Sequence, residues 1–294
     1  MRERVMIAVQ DEWEECACRI EEGKHPCSVY VLGATDRGKS TFCRHLVERL
    51  SHLDTIALID GDPGQSTIGP PATLGLAFSH AGTGAGSTHL RFIGSTTPQG
   101  HLLQLATGTK RLLEEAIRRG AACTLIDSPG FVLGETAREF QFQMIDCLQP
   151  DLLVSFQVSH ELETILASFR HHPSMKICRY PIPPQARVRS SRERARYRNR
   201  LFSEYFSASI PQAIPLEGIG IHGRVPGAGS PWQHLLIGCC DWNTELLSMG
   251  IAERLDAATR TLTLQAPPFD HGRLASIQVG SLTVHPPLSP EKRS

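Results

Sequence analysis

The segment Gly33-Ala-Thr-Asp-Arg-Gly-Lys-Ser-Thr41 carries two glycines, a lysine and a hydroxyl in the spacing G-x-x-x-x-G-K-S. That pattern suits a polyphosphate. Glycines reach backbone conformations closed to other residues, so successive N–H groups can turn inward onto phosphate oxygens. A helix beginning near Lys39 adds the positive end of its dipole. Gly33, Thr35, Asp36, Arg37, Gly38 and Thr41 form the expected cradle. Lys39 is expected to reach the β- and γ-phosphates, and the Ser40 hydroxyl is placed to ligate Mg²⁺. No Lys-x-Asp guanine reader occurs anywhere in the chain, which favours ATP over GTP.

Carboxylates follow two short apolar runs. Thr55-Ile-Ala-Leu-Ile59 ends on Asp60-Gly-Asp62-Pro-Gly-Gln65, and Cys123-Thr-Leu-Ile126 ends on Asp127-Ser-Pro-Gly130. Residues just past the C-terminal ends of parallel strands line the ligand crevice of an open α/β sheet. Of Asp60 and Asp62, one can hold Mg²⁺ through water while the other accepts a proton from an attacking hydroxyl. Asp127 is a second candidate for the metal, or a sensor of the γ-phosphate.

A third feature is the arginine series 187, 189, 192, 194, 196, 198 and 200, with Glu193 its only acid. The spacing predicts charge scattered round a helix over 187–206, with Arg194 and Arg198 neighbours on one face and Arg189 near the helix start. Arginine's planar fork suits phosphate, so the series reads as a lid over transferring phosphate or a grip on a polynucleotide backbone.

These residues need a scaffold. Ser28–Leu32, residues 55–59, His89–Ile93, residues 123–126, Leu152–Phe156 and Met175–Cys178 read as strands. They alternate with helices over about 39–50, 102–119, 135–148 and 162–169. Continuous apolar strands alternating with helices predict an α/β fold, a P-loop NTPase with a mainly parallel sheet covered by helices. Short strand-like runs after residue 210 (Leu235–Cys240, Thr261–Leu264, Ile277–Val284) predict a small C-terminal β-rich domain. The expected organisation is a helical segment at 1–24, a kinase-like domain at 25–208 and the β-rich domain at 209–294. Ala81–Ser87 reads as a flexible loop and the tail after Pro286 as frayed.

With 294 residues, 40% hydrophobic, 20% charged and a formal net charge of zero, the chain has no global field for nucleic acid; any attraction must be local. Nine cysteines without C-x-x-C modules argue against a disulfide framework. Metal binding by Cys16/Cys18 or by Cys239/Cys240 is not favoured. No export signal or bilayer-length apolar run is evident, so a cytoplasmic protein without membrane contact is the expectation.

Taken in order, these motifs resemble the polynucleotide 5′-hydroxyl kinases related to the eukaryotic pre-mRNA cleavage-factor and pre-rRNA-processing kinases, in a compact form. The resemblance rests on the P-loop, Asp60–Gln65, Gly94-Ser-Thr-Thr-Pro98, Ser128-Pro-Gly-Phe131 and Arg189-Ser-x-x-x-Arg194 before Tyr205-Phe206. It implies that ATP phosphorylates the 5′-hydroxyl of RNA or DNA, single- or double-stranded. It further implies that Asp62 is the general base and that Arg189 and Arg194 are lid arginines. Ser128, Gly130 and Phe131 resemble a clasp on the P-loop and the terminal base, with Gln65, Thr97 and Arg198 as further acceptor contacts. The clasp usually ends in tryptophan; phenylalanine stacks on a base with less surface. A nucleotide switch that assembles a metal centre or complex is the alternative reading, and a small-molecule kinase the third.

Overall fold

The computed structural model describes residues 11–285, apart from 24, 54, 81–83, 185 and 228–230. The described residues fall into two compact units that interleave along the chain. One takes residues from Met1–Gly61, Leu76–Ser87 and Thr109–Val188; the other takes Asp62–Gly75, Thr88–Gly108 and Arg189–Ser294.

In the first unit, apolar β-branched runs give the parallel strands β1 (Cys27–Gly33) and β2 (Thr55–Asp60). Strands β3 (Thr73–His80) and β4 (Gly84–Phe92) run from one unit into the other. Then follow β5 (Cys123–Asp127), β6 (Leu152–Phe156) and β7 (Lys176–Tyr180). The sheet order is β4-β3-β2-β5-β1-β6-β7. The pairs β2–β5, β5–β1, β1–β6 and β6–β7 are parallel. All five residues of β5 and of β6 are buried, as expected of strands covered on both faces.

Helix α1 (Asp11–Glu21) buries Trp13, Cys16, Ala17 and Ile20, a spacing that makes one helical face. Trp13 meets Phe42 edge-on at 5.4 Å, and Phe42 meets Phe156 at 5.4 Å. Phe42 belongs to α2 (Lys39–Arg49), so this aromatic cluster seats the helix whose first turn carries the phosphate loop. Among the described residues no helix is long and apolar enough to cross a membrane.

The second unit contains α3's beginning (α3 is Leu102–Arg118), α6 (Ser191–Phe206) and a six-stranded sheet. Between α3 and α6 in the chain lie α4 (Glu135–Leu148) and the short α5 (Glu163–Leu166). The second sheet comprises β8 (Ile210–Pro215), β9 (Gly220–Gly223), β10 (Leu235–Cys240), β11 (Leu246–Asp256), β12 (Thr261–Ala266) and β13 (Ser276–Thr283), in the order β8-β12-β11-β10-β13-β9. Only its β13–β9 pair is parallel.

Strand β10 is apolar on both faces. Ile237 and Cys239 enter one core with Leu262, Leu264 and Ile277; Leu236 and Cys240 enter another with Met249, Ile251, Phe202 and Phe206. Cys239 and Cys240 are therefore buried in different cores, a placement that sets their sulfurs on opposite faces of the strand.

Three expectations need correction. Residues 84–87 are strand rather than loop, because β4 lies beside β3 and backbone pairing overrides the weak strand preference of Gly and Ser. Residues 81–83 and the tail after Pro286 lie outside the described residues. The arginine helix begins at Ser191, since Ser190 and Glu193 form a capping box there, leaving Arg187 and Arg189 in the approach to it. Finally, α6 and the Asp62 segment group with the second sheet, not with a unit ending at residue 208, because Phe202 and Phe206 are part of that sheet's core.

Candidate active site

The first unit assembles the phosphate loop at the C-terminal ends of β1, β2 and β5. Gly33 closes β1, and Asp60 and Asp127 face each other in register at the ends of β2 and β5. Both carboxylates are buried. Asp36 and Gly38 take the left-handed conformation, with φ of 61° and 93°, which lets the loop curl round the start of α2. Lys39 is buried, and its Nζ donates to the Ala34 carbonyl at 3.0 Å. The Ser40 hydroxyl donates to Asp127 Oδ2 at 2.5 Å. Two of the expected Mg²⁺ ligands thus meet, with oxygen donors of the kind a hard cation prefers.

Among the described residues no group of three or more His, Cys, Asp or Glu could hold a metal. Mg²⁺ in phosphate sites uses one or two protein oxygens plus phosphate and water, so the pair fits that ion. Thr41 accepts a hydrogen bond from Arg44 at 3.4 Å. Arg37 is half-buried and acts on Glu161. Burial pushes the Glu161 carboxyl up, but hydrogen bonds from the Ser159 and Val158 backbone and the Arg37 charge bring it below its ordinary value.

The Ser128–Phe131 turn is built against this loop. Ser128 Oγ donates to the Val31 carbonyl at 2.7 Å. Gly130 lies so close to Thr35 that a Cβ there would stand 2.6 Å from the Thr35 nitrogen; only glycine fits. Gln141 on α4, wholly buried, donates to the carbonyls of Pro129 (3.2 Å) and Phe131 (2.9 Å) and accepts from Tyr30 OH at 2.6 Å. Burial raises the Tyr30 phenol above its ordinary range, keeping it a neutral donor. Phe131 is half-buried, its ring 6.3 Å from that of Phe140.

Gln141 escaped sequence reasoning: a glutamine on an amphipathic helix reads as surface. Gln141→Leu is expected to take a hydrogen-bond partner from the Pro129 and Phe131 carbonyls and from the Tyr30 hydroxyl, at about 1–3 kcal/mol for each group left buried and unsatisfied. Its melting temperature should fall by several degrees, as thermal unfolding by circular dichroism would show.

The second unit gathers a different set. Asp62 Oδ1 accepts from the Gly64 N–H at 2.8 Å, and the Asp62 carbonyl accepts from Gln65 N at 3.3 Å. Gln65 Oε1 is buried without a hydrogen-bond partner among the described residues. A Cβ on Gly64 would stand 2.5 Å from the Thr96 carbonyl, so the Asp62 turn lies against the Gly94–Pro98 loop. There Ser95 Oγ accepts from the Thr97 N–H at 3.2 Å. That loop is pinned in turn: Ser281 N–H and Leu282 N–H donate to the Gly94 carbonyl at 2.9 and 3.2 Å, and His101 Nε2 meets Ser281 Oγ at 2.8 Å.

Helix α6 reaches the same turn, because Tyr197 OH donates to the Ser66 carbonyl at 2.9 Å. Arg194 Nη1 donates to the Arg189 carbonyl at 2.8 Å. The arginines do not scatter evenly. Arg189, Arg194 and Arg198 are half-buried, whereas Arg187, Arg192, Arg196 and Arg200 are more open to solvent as a set. Tyr197, His101 and Ser281 were missed, since their role depends on contacts between residues far apart in sequence.

Each unit thus carries one coherent set: a phosphate loop with two buried carboxylates in the first, and a capped aspartate with half-buried arginines in the second. The family described as mRNA cleavage and polyadenylation factor CLP1 P-loop matches residues 33–208. The chain belongs to this family.

Among relatives of the chain is a polyribonucleotide 5′-hydroxyl-kinase of Methanocaldococcus jannaschii, 29% identical over 221 residues, 73% of this chain and 59% of the relative. One of the same name from Pyrococcus furiosus is 30% identical over 76% of this chain and 62% of its own length. A polynucleotide 5′-hydroxyl-kinase of Yarrowia lipolytica is 25% identical over 51% of this chain and 27% of its own. The chain therefore spans about three-fifths of the length of the two archaeal relatives. A chain in the solved structure of the wild-type Clp1p–Pcf11p complex matches with a TM-score of 0.71 at 12% identity, over 92% of this chain and 79% of that one. This likeness concerns the fold.

Proposed function

We propose that the chain is an ATP-dependent polynucleotide 5′-hydroxyl kinase. The observation that carries this reading is the hydrogen bond from Tyr197 to the Ser66 carbonyl. It fastens an arginine helix to the turn that presents Asp62, so a base and phosphate-seeking cations belong to one assembly. A protein that only binds or hydrolyses nucleotide has no evident use for both. Relatives named as polyribonucleotide 5′-hydroxyl-kinases support the same acceptor.

In the proposed reaction the loop from Gly33 to Thr41 holds the triphosphate of ATP and Lys39 binds its β- and γ-oxygens. Ser40 and Asp127, with Asp60 nearby in register, would hold Mg²⁺, which neutralises charge on the phosphate oxygens. Asp62 takes the proton of the 5′-hydroxyl. The freed oxygen bonds to the γ-phosphorus as the bond from that phosphorus to the β,γ-bridging oxygen breaks, and ADP departs with the electron pair. Arg189 and Arg194 stabilise charge on the group in transit. Gln65, Thr97, Arg198, Ser128, Gly130 and Phe131 position the acceptor, with Phe131 offering a ring for the terminal base.

The deciding experiment is 5′-end labelling from γ-labelled ATP or GTP on single- and double-stranded 5′-hydroxyl RNA and DNA. Labelled 5′-phosphate on at least one acceptor is expected, and none on any acceptor would end the proposal. Arg194→Ala is expected to lower kcat by about 10²-fold or more, as for other arginines that stabilise transferring phosphate. Its nucleotide affinity should stay within a few-fold of the parent, measured by titration calorimetry.

One observation favours a second reading. The Asp127-x-x-Gly130 turn touches the phosphate loop at Thr35, as a γ-phosphate sensor would. A nucleotide switch predicts slow hydrolysis that oligonucleotides do not alter.

A further inference from the structure

On a helix each residue turns about 100°, so two steps carry a side chain across α6 and four bring it nearly back. Arg194 and Arg198 consequently form one row, half-buried, and Arg192, Arg196 and Arg200 form another, exposed, on the opposite side. Tyr197 lies between them and ties the helix to the Asp62 turn.

Of the exposed row only Arg200 has a packing role, against Tyr197. The helix is capped by Ser190 and Glu193 and anchored by Phe202 and Phe206, with Tyr205 OH accepting from the Met249 N–H at 2.8 Å. Arg192 and Arg196 have no acidic partner among the described residues. Arg200 stands 3.7 Å from the exposed Glu204 and covers the Tyr197 ring at 5.4 Å. Like charges four apart on a helix repel, and in a chain of zero net charge this row is a local concentration rather than part of a basic surface. Four residues rise about 6 Å along the axis, on the scale of one nucleotide of extended backbone.

We propose that Arg192, Arg196 and Arg200 form a docking row for the phosphodiesters of a single-stranded polynucleotide, downstream of the 5′ end that reacts. The position of the row downstream of the reacting end rests on the kinase reading. The row itself rests on charge, spacing and exposure. It adds affinity for long acceptors while leaving the chemistry at the terminal hydroxyl alone.

The test is the double variant Arg192→Gln/Arg196→Gln, with Arg200 kept because it packs on Tyr197. Binding of a 3′-labelled 5′-hydroxyl single-stranded RNA is followed by fluorescence anisotropy as salt is raised. Each lost phosphate contact lowers the log–log salt slope by about 0.7, so the expected fall for two is about 1.4. KM should rise several-fold for the long acceptor, with kcat and KM for a dinucleotide unchanged. Arg192→Lys/Arg196→Lys should restore the slope. A folded Gln variant with the parent's salt slope would overturn the row, as would loss of binding to phosphatidylserine vesicles or to a polyglutamate peptide with RNA binding intact. If the parent binds RNA with the expected slope but labels no 5′ end, the kinase reading falls and the row stands. If the parent labels RNA and the variant keeps its slope, the reverse holds.

Discussion

Lys39→Met is expected to abolish phosphoryl transfer while leaving the protein without nucleotide at least as stable as the parent. The ammonium of Lys39 is buried and donates to the Ala34 carbonyl. Keeping a charge out of water costs free energy unless it is well paired. Methionine fills similar space without that cost, so the melting temperature should hold or rise slightly. The loss appears when phosphate arrives, since no side chain then meets the β- and γ-oxygens. Removing one preorganised donor from such a site lowers kcat by about 10²–10³, and the Lys39 charge should matter at least as much. Two measurements decide the matter: 5′-end labelling, and thermal melts with and without ATP. The parent should gain stability with ATP as the logarithm of one plus the ratio of free ATP to its Kd, and the variant should gain little. A variant that melted early without nucleotide would show that the lysine is part of the fold.

Asp62→Asn should be almost as damaging to transfer and much gentler to the protein. The Asp62 carboxylate accepts from the Gly64 N–H, and an asparagine oxygen can accept the same bond. The turn against the Gly94–Pro98 loop therefore survives, as does ATP binding. What disappears is the ability to accept a proton from the acceptor hydroxyl, and general-base catalysis is worth about 10²–10⁴ in rate. Single-turnover labelling at saturating ATP and RNA isolates the chemical step. Should Asp62→Asn turn over within tenfold of the parent, another group must take the proton.

What sequence conveyed depended on how local the physics was. The phosphate loop, Asp60 and Asp127 were legible because a short, fully apolar run ending in aspartate is the form a doubly covered strand takes as it arrives at a ligand crevice. Helix α4 was legible from its apolar periodicity. By contrast β3 mixes glycine, alanine and serine among its apolar residues, which weakens its strand signal, and the Gly/Ser composition of residues 84–87 concealed a strand held by its neighbour. Strand β11 ends in Ala-Glu-Arg-Leu-Asp, which looks as helical as extended. The start of α6 depended on Ser190 and Glu193, a capping box hidden in a run whose arginines drew attention. Gln141, Tyr197 and Ser281 could not be found at all, since each acts on backbone far away in sequence. The two-row character of the arginines was present in their numbering, but exposure was needed to show that the rows differ.

The interleaving of the two units bears on how the protein is made. Strand β13 lies between β10 and β9, and the Ser281 and Leu282 N–H groups that pin the Gly94 carbonyl belong to it. It is the last strand among the described residues. A nascent polypeptide emerging from the ribosome can close its phosphate loop long before the Gly94–Pro98 loop, which leans on the Asp62 turn, gains the hydrogen bonds of Ser281 and Leu282. The part that binds fuel is complete early, and the part that holds the proposed base waits for β13. Limited proteolysis of stalled translation products should find that order, with protection of the region around Lys39 preceding protection of the region around Thr97.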